Sequence, residues 1–133
     1  MLHDDIDPDV NSYNSLSTSC KYYLPDELGE CVEKSHMTSN LPFIHINARS
    51  MCNKLEYIEI LLKTIKNNFD ILSVSETWEN DLNSHLINIA GYCKVSSMRL
   101  CGAKGGGTAL FVKPNFKFTV IDVTTVSFES VFI

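Results

Sequence analysis

The chain has 133 residues, of which 44% are hydrophobic and 20% are charged, a composition typical of one ordinary globular domain. The net charge of −5 argues against nucleic-acid binding, which normally draws on a surplus of Lys and Arg. The acidity is uneven, however. Residues 1–40 carry eight acidic and two basic side chains, whereas residues 41–133 carry eight acidic and nine basic ones. The charge of the second part therefore does not exclude a nucleic-acid partner.

Hydropathy and cysteine content indicate the cellular compartment in which the protein is expected. The sequence contains no run of 18 or more apolar residues, and its first twenty residues are acidic and polar, unlike a signal peptide. We therefore expect an intracellular protein with no membrane partner. The five cysteines include no CxxC pair and are expected to be free thiols. A zinc site of His85, Cys93 and Cys101 is the weaker alternative, because zinc ligands usually come in closely spaced pairs.

The acidic segment at residues 1–40 is rich in Asp, Ser, Asn and Thr and shows no sustained hydrophobic period. Such a segment buries little apolar surface, so we predict a flexible acidic leader. For the stretch from Cys20 to Glu27, with two tyrosines and a proline, loose docking on the domain is an alternative, but a solvated linker is favoured. The domain itself is predicted to occupy residues 41–133.

A strand, a helix and a strand follow in close succession. Residues 42–47 form a short apolar run that is typical of a buried strand. Apolar residues then recur at steps of three and four, which predicts a helix over residues 53–67 with Ser50 or Asn53 as its N-cap. Residues 70–75 form a second apolar run. Together these elements predict a βαβ unit, in which the two strands are parallel.

The rest of the sequence favours strands. After Glu76 a polar loop is predicted through about His85, and a turn is predicted at residues 114–115. No second helix of comparable quality is expected, so this part is predicted to be an antiparallel meander. The predicted strands cover residues 92–95, 108–113, 116–123 and 126–133. Because the pattern stops inside the last strand, we expect the chain to be the N-terminal part of a larger fold.

Two polar residues stand where the first two strands end. Asn47 and Glu76 each directly follow one of the two predicted parallel strands, and open α/β sheets bind ligands at that edge. An amide oxygen and a carboxylate are hard ligands that suit Mg²⁺. The alternative is that Asn47 caps a turn and Glu76 is a solvated loop residue. Spacing alone favours the alternative.

Three stretches add a family resemblance. They are residues 45–55 (HINARSMCNKL), residues 73–78 (SVSETW), and Arg99 followed by residues 105–112 (GGGTALFV). In this order they resemble three motifs of the endonuclease domains of LINE-type retrotransposons, within the exonuclease-endonuclease-phosphatase superfamily. The three motifs are a strand ending in Asn-x-Arg-Ser, a glutamate at a strand end, and an arginine-bearing loop with a glycine-rich entry to a strand. The resemblance covers residues 41–133.

The resemblance implies a fold and an activity. The fold would be a partial four-layer α/β sandwich, and the protein would be a Mg²⁺- or Mn²⁺-dependent hydrolase that nicks DNA for an associated reverse transcriptase. Glu76 would bind the metal, Asn47 would position the metal and the scissile phosphate, and Arg49 and Arg99 would contact DNA phosphates. The partners implied are DNA and the remainder of an endonuclease/reverse transcriptase polypeptide, in the nucleus, with no small-molecule cofactor.

The sequence also departs from the family. The family's later tyrosine, Asp-x-Asn pair and Ser-Asp-His segment have no counterpart in the 133 residues, so we expect the chain to be inactive alone. The alternative is a non-catalytic remnant or truncated product acting as a binding module. A relative acting on phosphoinositides or other small phosphate esters fits the motifs less well. Glu79 stands where the family usually has an apolar residue, and Trp78 is expected to pack over the core edge rather than to stack on a base.

Overall fold

The computed structural model describes residues 21–36, 40–66, 68–98 and 105–121. In these residues two helices and a four-stranded sheet form a small mixed α/β fold, which confirms the predicted class. The helices are α1 (Pro25–His36) and α2 (Met51–Thr64), and the strands are β1 (Phe43–Asn47), β2 (Ile71–Ser75), β3 (Cys93–Ser97) and β4 (Thr108–Val112). A short 3₁₀ turn spans Ser84–Leu86. No helix in this described part is both long and apolar enough to cross a bilayer.

The predicted βαβ unit is confirmed. β1 and β2 pair in parallel, with Asn47 opposite Ser75, and α2 connects them. The helix starts two residues earlier than predicted, so Asn53 lies inside it. Ser50 holds the N-cap position but makes no hydrogen bond with its side chain. The first turn is tied down by backbone instead, because the N–H groups of Ser50 and Met51 donate to carbonyls beyond the end of β2.

The sheet order β1-β2-β4-β3 differs from the predicted meander. β4 lies between β2 and β3 and pairs antiparallel with both. A central strand is covered on its faces and therefore carries more apolar side chains. β4 meets this requirement, because Ala109, Phe111 and Val112 are buried. β3 has the sequence CKVSS and no buried residue, so it suits the edge.

The strand predicted over residues 116–123 is wrong for residues 116–120, which are irregular. The turn predicted at residues 114–115 is confirmed, and the Phe116 N–H donates to Lys113 O at 3.1 Å. Pro114 lacks an N–H, which favours a turn over continued pairing at this point. The strand predicted over residues 126–133 lies outside the described residues.

The hydrophobic core lies on one face of the sheet. Leu72, Phe111, Ile58 and Leu62 belong to a single buried cluster, because strand alternation aims Leu72 and Phe111 toward the apolar face of α2. The opposite sheet face is less covered, and Phe43 at its edge is 55% exposed. The sheet is therefore packed on one side and open to further packing on the other.

The sequence predicts a flexible leader over residues 1–40. The structure differs from this prediction at residues 25–36, which form helix α1. Val32 is buried. A Cβ on Gly29 would lie 3.1 Å from Ile65 Cα, so the helix backbone closely approaches the end of α2. An exposed ion pair joins Lys66 to Glu33 at 3.0 Å. The boundary at residue 40 stays a prediction, and residues 1–20 lie outside the described part.

Two local signals at the start of α1 explain the helix. Pro25 is its first residue, a position where proline is favoured because its missing N–H is not needed. The side chain of Glu27 reaches back and accepts a hydrogen bond from the Leu24 N–H at 3.0 Å, as in half of a capping box. Acidic residues in the first turn also suit the positive end of the helix dipole.

Tyr92 leads to a prediction about alkaline pH. Burial and the Asp70 carboxylate raise the pKa of Tyr92 to about 12 from an ordinary value of 10.0, and its hydroxyl donates to Phe69 O at 2.7 Å. Folding therefore favours the protonated phenol. The resulting stabilisation is complete below pH 10 and is lost as the pH rises toward 12.

We expect the free energy of unfolding of the wild type to fall more steeply across this alkaline range than that of Tyr92→Phe, because the variant has no phenol to titrate. Urea unfolding at a series of pH values measures both slopes. Equal slopes for the two proteins would show that Tyr92 titrates normally in the folded chain.

Candidate functional site

The two residues predicted to converge do lie at one edge of the sheet. Asn47 is the last residue of β1, and Glu76 directly follows β2, whose last residue Ser75 pairs with Asn47. The Ala48 N–H donates to Ser75 O at 3.0 Å, so the backbone stays paired with β2 for one residue beyond the end of β1. Asn47 is exposed and Glu76 is half-buried. Asn47 and Glu76 thus both lie at the carboxyl edge of the parallel strands.

Among the described residues, Trp78 and Gly106 are donors to the carboxylate of Glu76. Its Oε2 accepts one hydrogen bond from the indole Nε1–H of Trp78 at 3.0 Å and one from the Gly106 backbone N–H at 3.1 Å. Hydrogen bonds to an ionised acceptor are the stronger kind, so together they fix the orientation of the group. Trp78 is 37% exposed, and its indole thus orients Glu76 at the edge of the core.

The backbone of residues 76–78, which we call the strand-end segment, is bonded on two sides. On one side Glu76 O and Thr77 O accept hydrogen bonds at 2.9 Å from the N–H groups of Ser50 and Met51 at the start of α2. On the other side, the N–H groups of Thr77 and Trp78 donate to carbonyls of the glycine turn at residues 105–107, at 3.2 and 2.9 Å. The segment therefore has little freedom to move.

Strained backbone concentrates at this edge. Glu76 and Trp78 both have φ of 55°, and Arg49 and Ser50 have φ of 43° and 87°. Residues other than glycine rarely adopt such angles, and they persist where the surroundings enforce them, often at functional sites. The hydrogen bonds on both sides of the strand-end segment supply that enforcement.

Glycine is required where the turn at residues 105–107 closely approaches the strand-end segment. All three of its residues have positive φ, between 77° and 94°, which glycine adopts at little cost. A Cβ on Gly107 would lie 2.5 Å from Thr77 Oγ1, a distance that atoms not bonded to each other do not tolerate. Thr77 is itself buried and cannot move aside easily, so this position admits only glycine.

The other residues predicted to contact DNA or to bind zinc are either exposed or lie outside the described residues. Arg49 is exposed, two residues beyond Asn47, where a phosphate could reach it, and Arg99 lies outside the described residues. His85 and Cys93 are exposed, and Cys101 is not described. The described cysteines are free thiols. The described part of the chain holds no cluster of three His, Cys, Asp or Glu residues suited to a metal, and the zinc alternative, which needs Cys101, stays a prediction.

The donor set can be compared with the needs of Mg²⁺. This ion prefers oxygen ligands, takes only one or two protein carboxylates and keeps several waters. Glu76 supplies one carboxylate and Asn47 an amide oxygen at the adjacent strand end. These donor types are the ones that a magnesium ion takes when it completes its coordination with water and substrate oxygens. They do not fit zinc, which needs more protein ligands.

Two further groups near the site were not found from the sequence. His45 lies between two serines, with Nδ1 at 3.2 Å from Ser73 Oγ and Nε2 at 3.3 Å from Ser75 Oγ. It bridges β1 and β2 on the less covered sheet face. The second group is a buried ion pair between Glu79 and Lys94. Its partners are fifteen residues apart, so no local pattern signals it.

Comparisons with known proteins give little. No family model matches the sequence, and no curated protein matches it. Among solved structures the chain is similar to an AP endonuclease from Archaeoglobus fulgidus, with 30% sequence identity, a TM-score of 0.38, and coverage of 52% of this chain and 26% of that one. The chain thus spans about a quarter of that protein's length. A TM-score this low establishes neither a shared fold nor a shared activity.

The close approach at the glycine turn can be tested with a matched pair of variants. Gly107→Ala adds both left-handed strain and the contact with Thr77, whereas Gly91→Ala adds the strain alone, since Gly91 has φ of 86° and open space around it. The strain costs about 1–2 kcal/mol. We expect Gly107→Ala to lower the free energy of unfolding by clearly more than Gly91→Ala does. Equal losses in urea unfolding would contradict the close approach.

Proposed function

We propose that this chain forms part of the catalytic domain of a magnesium-dependent DNA endonuclease of the kind carried by LINE-type retrotransposons. The observation that supports the proposal most is the oriented carboxylate of Glu76 beside Asn47 at the carboxyl edge of β1 and β2. Both residues lie in the sequence motifs that resemble this family. The glycine turn, which belongs to the third motif, directly contacts the second.

Each residue has a definite part in this proposal. Glu76 would hold the metal, and Asn47 would help to hold it and to position the scissile phosphate. Bound Mg²⁺, or Mn²⁺ in its place, would stabilise the negative charge that develops on the phosphate and the leaving oxygen. Arg49, exposed near the same edge, would contact a neighbouring phosphate of the DNA backbone, and Arg99 is proposed for the same role from the motif alone.

The complete domain is proposed to be a four-layer α/β sandwich. The less covered face of the sheet, where Phe43 is 55% exposed, supports this, because a two-sided sheet with apolar residues on its second face favours further packing there. The additional strands would come from the remainder of an endonuclease/reverse transcriptase polypeptide. The proposed setting is the nucleus, where target DNA is available, and the nick would supply the primer for reverse transcription.

We also propose that the 133 residues are inactive by themselves. Hydrolysis of a phosphodiester also needs groups that activate the nucleophile and protonate the leaving oxygen. The later motifs that supply these groups in the family have no counterpart in this sequence. We therefore expect the chain alone to give no nicking of supercoiled plasmid above the background without protein.

The test uses the chain joined to the polypeptide encoded directly after Ile133 in its transcript. We expect this longer protein to relax supercoiled plasmid in the presence of Mg²⁺, and Glu76→Gln to lower the rate by about 100-fold or more, as the loss of a charge-stabilising group does elsewhere. The matched control is Glu56→Gln, which changes an exposed carboxylate on α2 and should keep the wild-type rate.

Three results would contradict the endonuclease proposal. One is an equal nicking rate in Glu76→Gln and wild type. The second is a joined protein that binds DNA without cutting it, and the third is a transcript that supplies none of the missing motifs. The second and third results would favour the non-catalytic binding module. Release of phosphate from inositol phosphates without DNA nicking would point to a relative that acts on small phosphate esters.

A further inference from the structure

A buried ion pair lies directly behind the strand-end segment. Lys94 Nζ is 2.6 Å from Glu79 Oε1, and the two side chains are 15% and 0% exposed. We infer that this pair is a positioning element, which sets the placement of Trp78 and, through its indole, the orientation of the Glu76 carboxylate. The structural part of the inference stands on these contacts, and only its consequence for DNA nicking rests on the proposed function.

The pair fastens a loop to the sheet. Lys94 belongs to β3, opposite Phe111 of β4, so its position is fixed by strand pairing. Its Nζ also donates to Ser84 O at 2.8 Å and lies 3.3 Å from Ser84 Oγ. The Ser84 hydroxyl in turn donates to Glu79 Oε1 at 2.6 Å. These contacts form a closed polar ring that ties Glu79 and the 3₁₀ turn to one point on β3.

The constraint passes from Glu79 to Trp78 through backbone. Trp78 is the adjacent residue, and its backbone is bonded at both ends, with its N–H donating to Gly106 O at 2.9 Å and its carbonyl accepting from Asn83 Nδ2 at 3.1 Å. The Glu79 N–H donates to Thr77 Oγ1 at 3.3 Å. Trp78, whose indole is a donor to Glu76, therefore lies between two restraints, which are the glycine turn and the loop that the ion pair fastens to β3.

The chemistry of the pair favours positioning over stabilisation. A buried ion pair is often no more stabilising than apolar side chains of similar size, because removing both charges from water is costly. Here the cost is raised further, since Glu79 Oε2 is buried and has no hydrogen-bond partner among the described residues. An ion pair does, however, require one geometry, whereas apolar side chains accept several. The main effect of this pair is therefore to fix the position of the residues beside it, not to stabilise the fold.

The test replaces both charges at once. Glu79→Leu/Lys94→Met removes the ion pair without leaving either charge unpaired, and we expect it to keep the wild-type free energy of unfolding or to raise it. Trp78 is the single tryptophan of the chain, so its fluorescence and its indole N–H resonance report its placement directly. We expect the double variant to show a red-shifted emission and a loss of protection of the indole proton from solvent exchange.

The chain offers a matched control pair. Glu33 and Lys66 also form an ion pair at 3.0 Å, but their side chains are 60% and 61% exposed and lie on α1 and beyond α2. Glu33→Leu/Lys66→Met should leave both Trp78 signals unchanged. If Glu79→Leu/Lys94→Met does not fold, Glu79→Gln carries the test, because it keeps the size of the side chain while removing its charge, and it should shift the same signals.

The outcomes separate the inference from the proposed function. A folded double variant with wild-type emission and indole protection overturns the inference, whatever the activity. If the Trp78 signals change as expected, the positioning role stands even when the joined protein nicks no DNA, a result that counts against the proposed function alone. In a joined protein that is active, we also expect both the double variant and Trp78→Phe to lose nicking rate, since both leave the carboxylate without its indole donor.

Discussion

The insertion of β4 between β2 and β3 is the constraint on which the candidate site depends. It brings the glycine turn, residues 105–107, against the strand-end segment, residues 76–78, and two backbone hydrogen bonds join them. Without this antiparallel pairing the Glu76 carboxylate would lack the Gly106 donor. The lack of room for a Cβ at Gly107 shows how closely the two pieces of backbone approach. The site is thus a product of sheet order as much as of its own residues.

The same contacts explain how unfavourable backbone angles persist. Left-handed φ values at Glu76, Trp78, Arg49 and Ser50 each carry a cost. The hydrogen bonds from the start of α2 and from the glycine turn offset that cost. In return, the segment that carries Glu76 is held rigidly, as the proposed role of this residue as a metal ligand requires. The buried pair of Glu79 and Lys94 extends the same rigid framework to β3.

The sequence predicted the parts of the fold that local patterns encode. Apolar periodicity identified β1, α2 and β2, and the rule for parallel strands then placed Asn47 and Glu76 at one edge. The order of β3 and β4 was not predictable, because pairing partners are chosen by burial of whole strands. Helix α1 was missed because few of its residues are apolar, although Pro25 and Glu27 carry a start signal. The pairing of Glu79 with Lys94 depends on tertiary contact and has no local signature.

The most direct test of the central claim, that Glu76 is an oriented ligand for a divalent metal, is a titration of the chain with Mg²⁺ followed through the indole N–H resonance of Trp78. This proton donates to the carboxylate itself. The account predicts a saturable shift in the wild type that Glu76→Gln abolishes. An unchanged resonance in the wild type, or the same shift in both proteins, would contradict it.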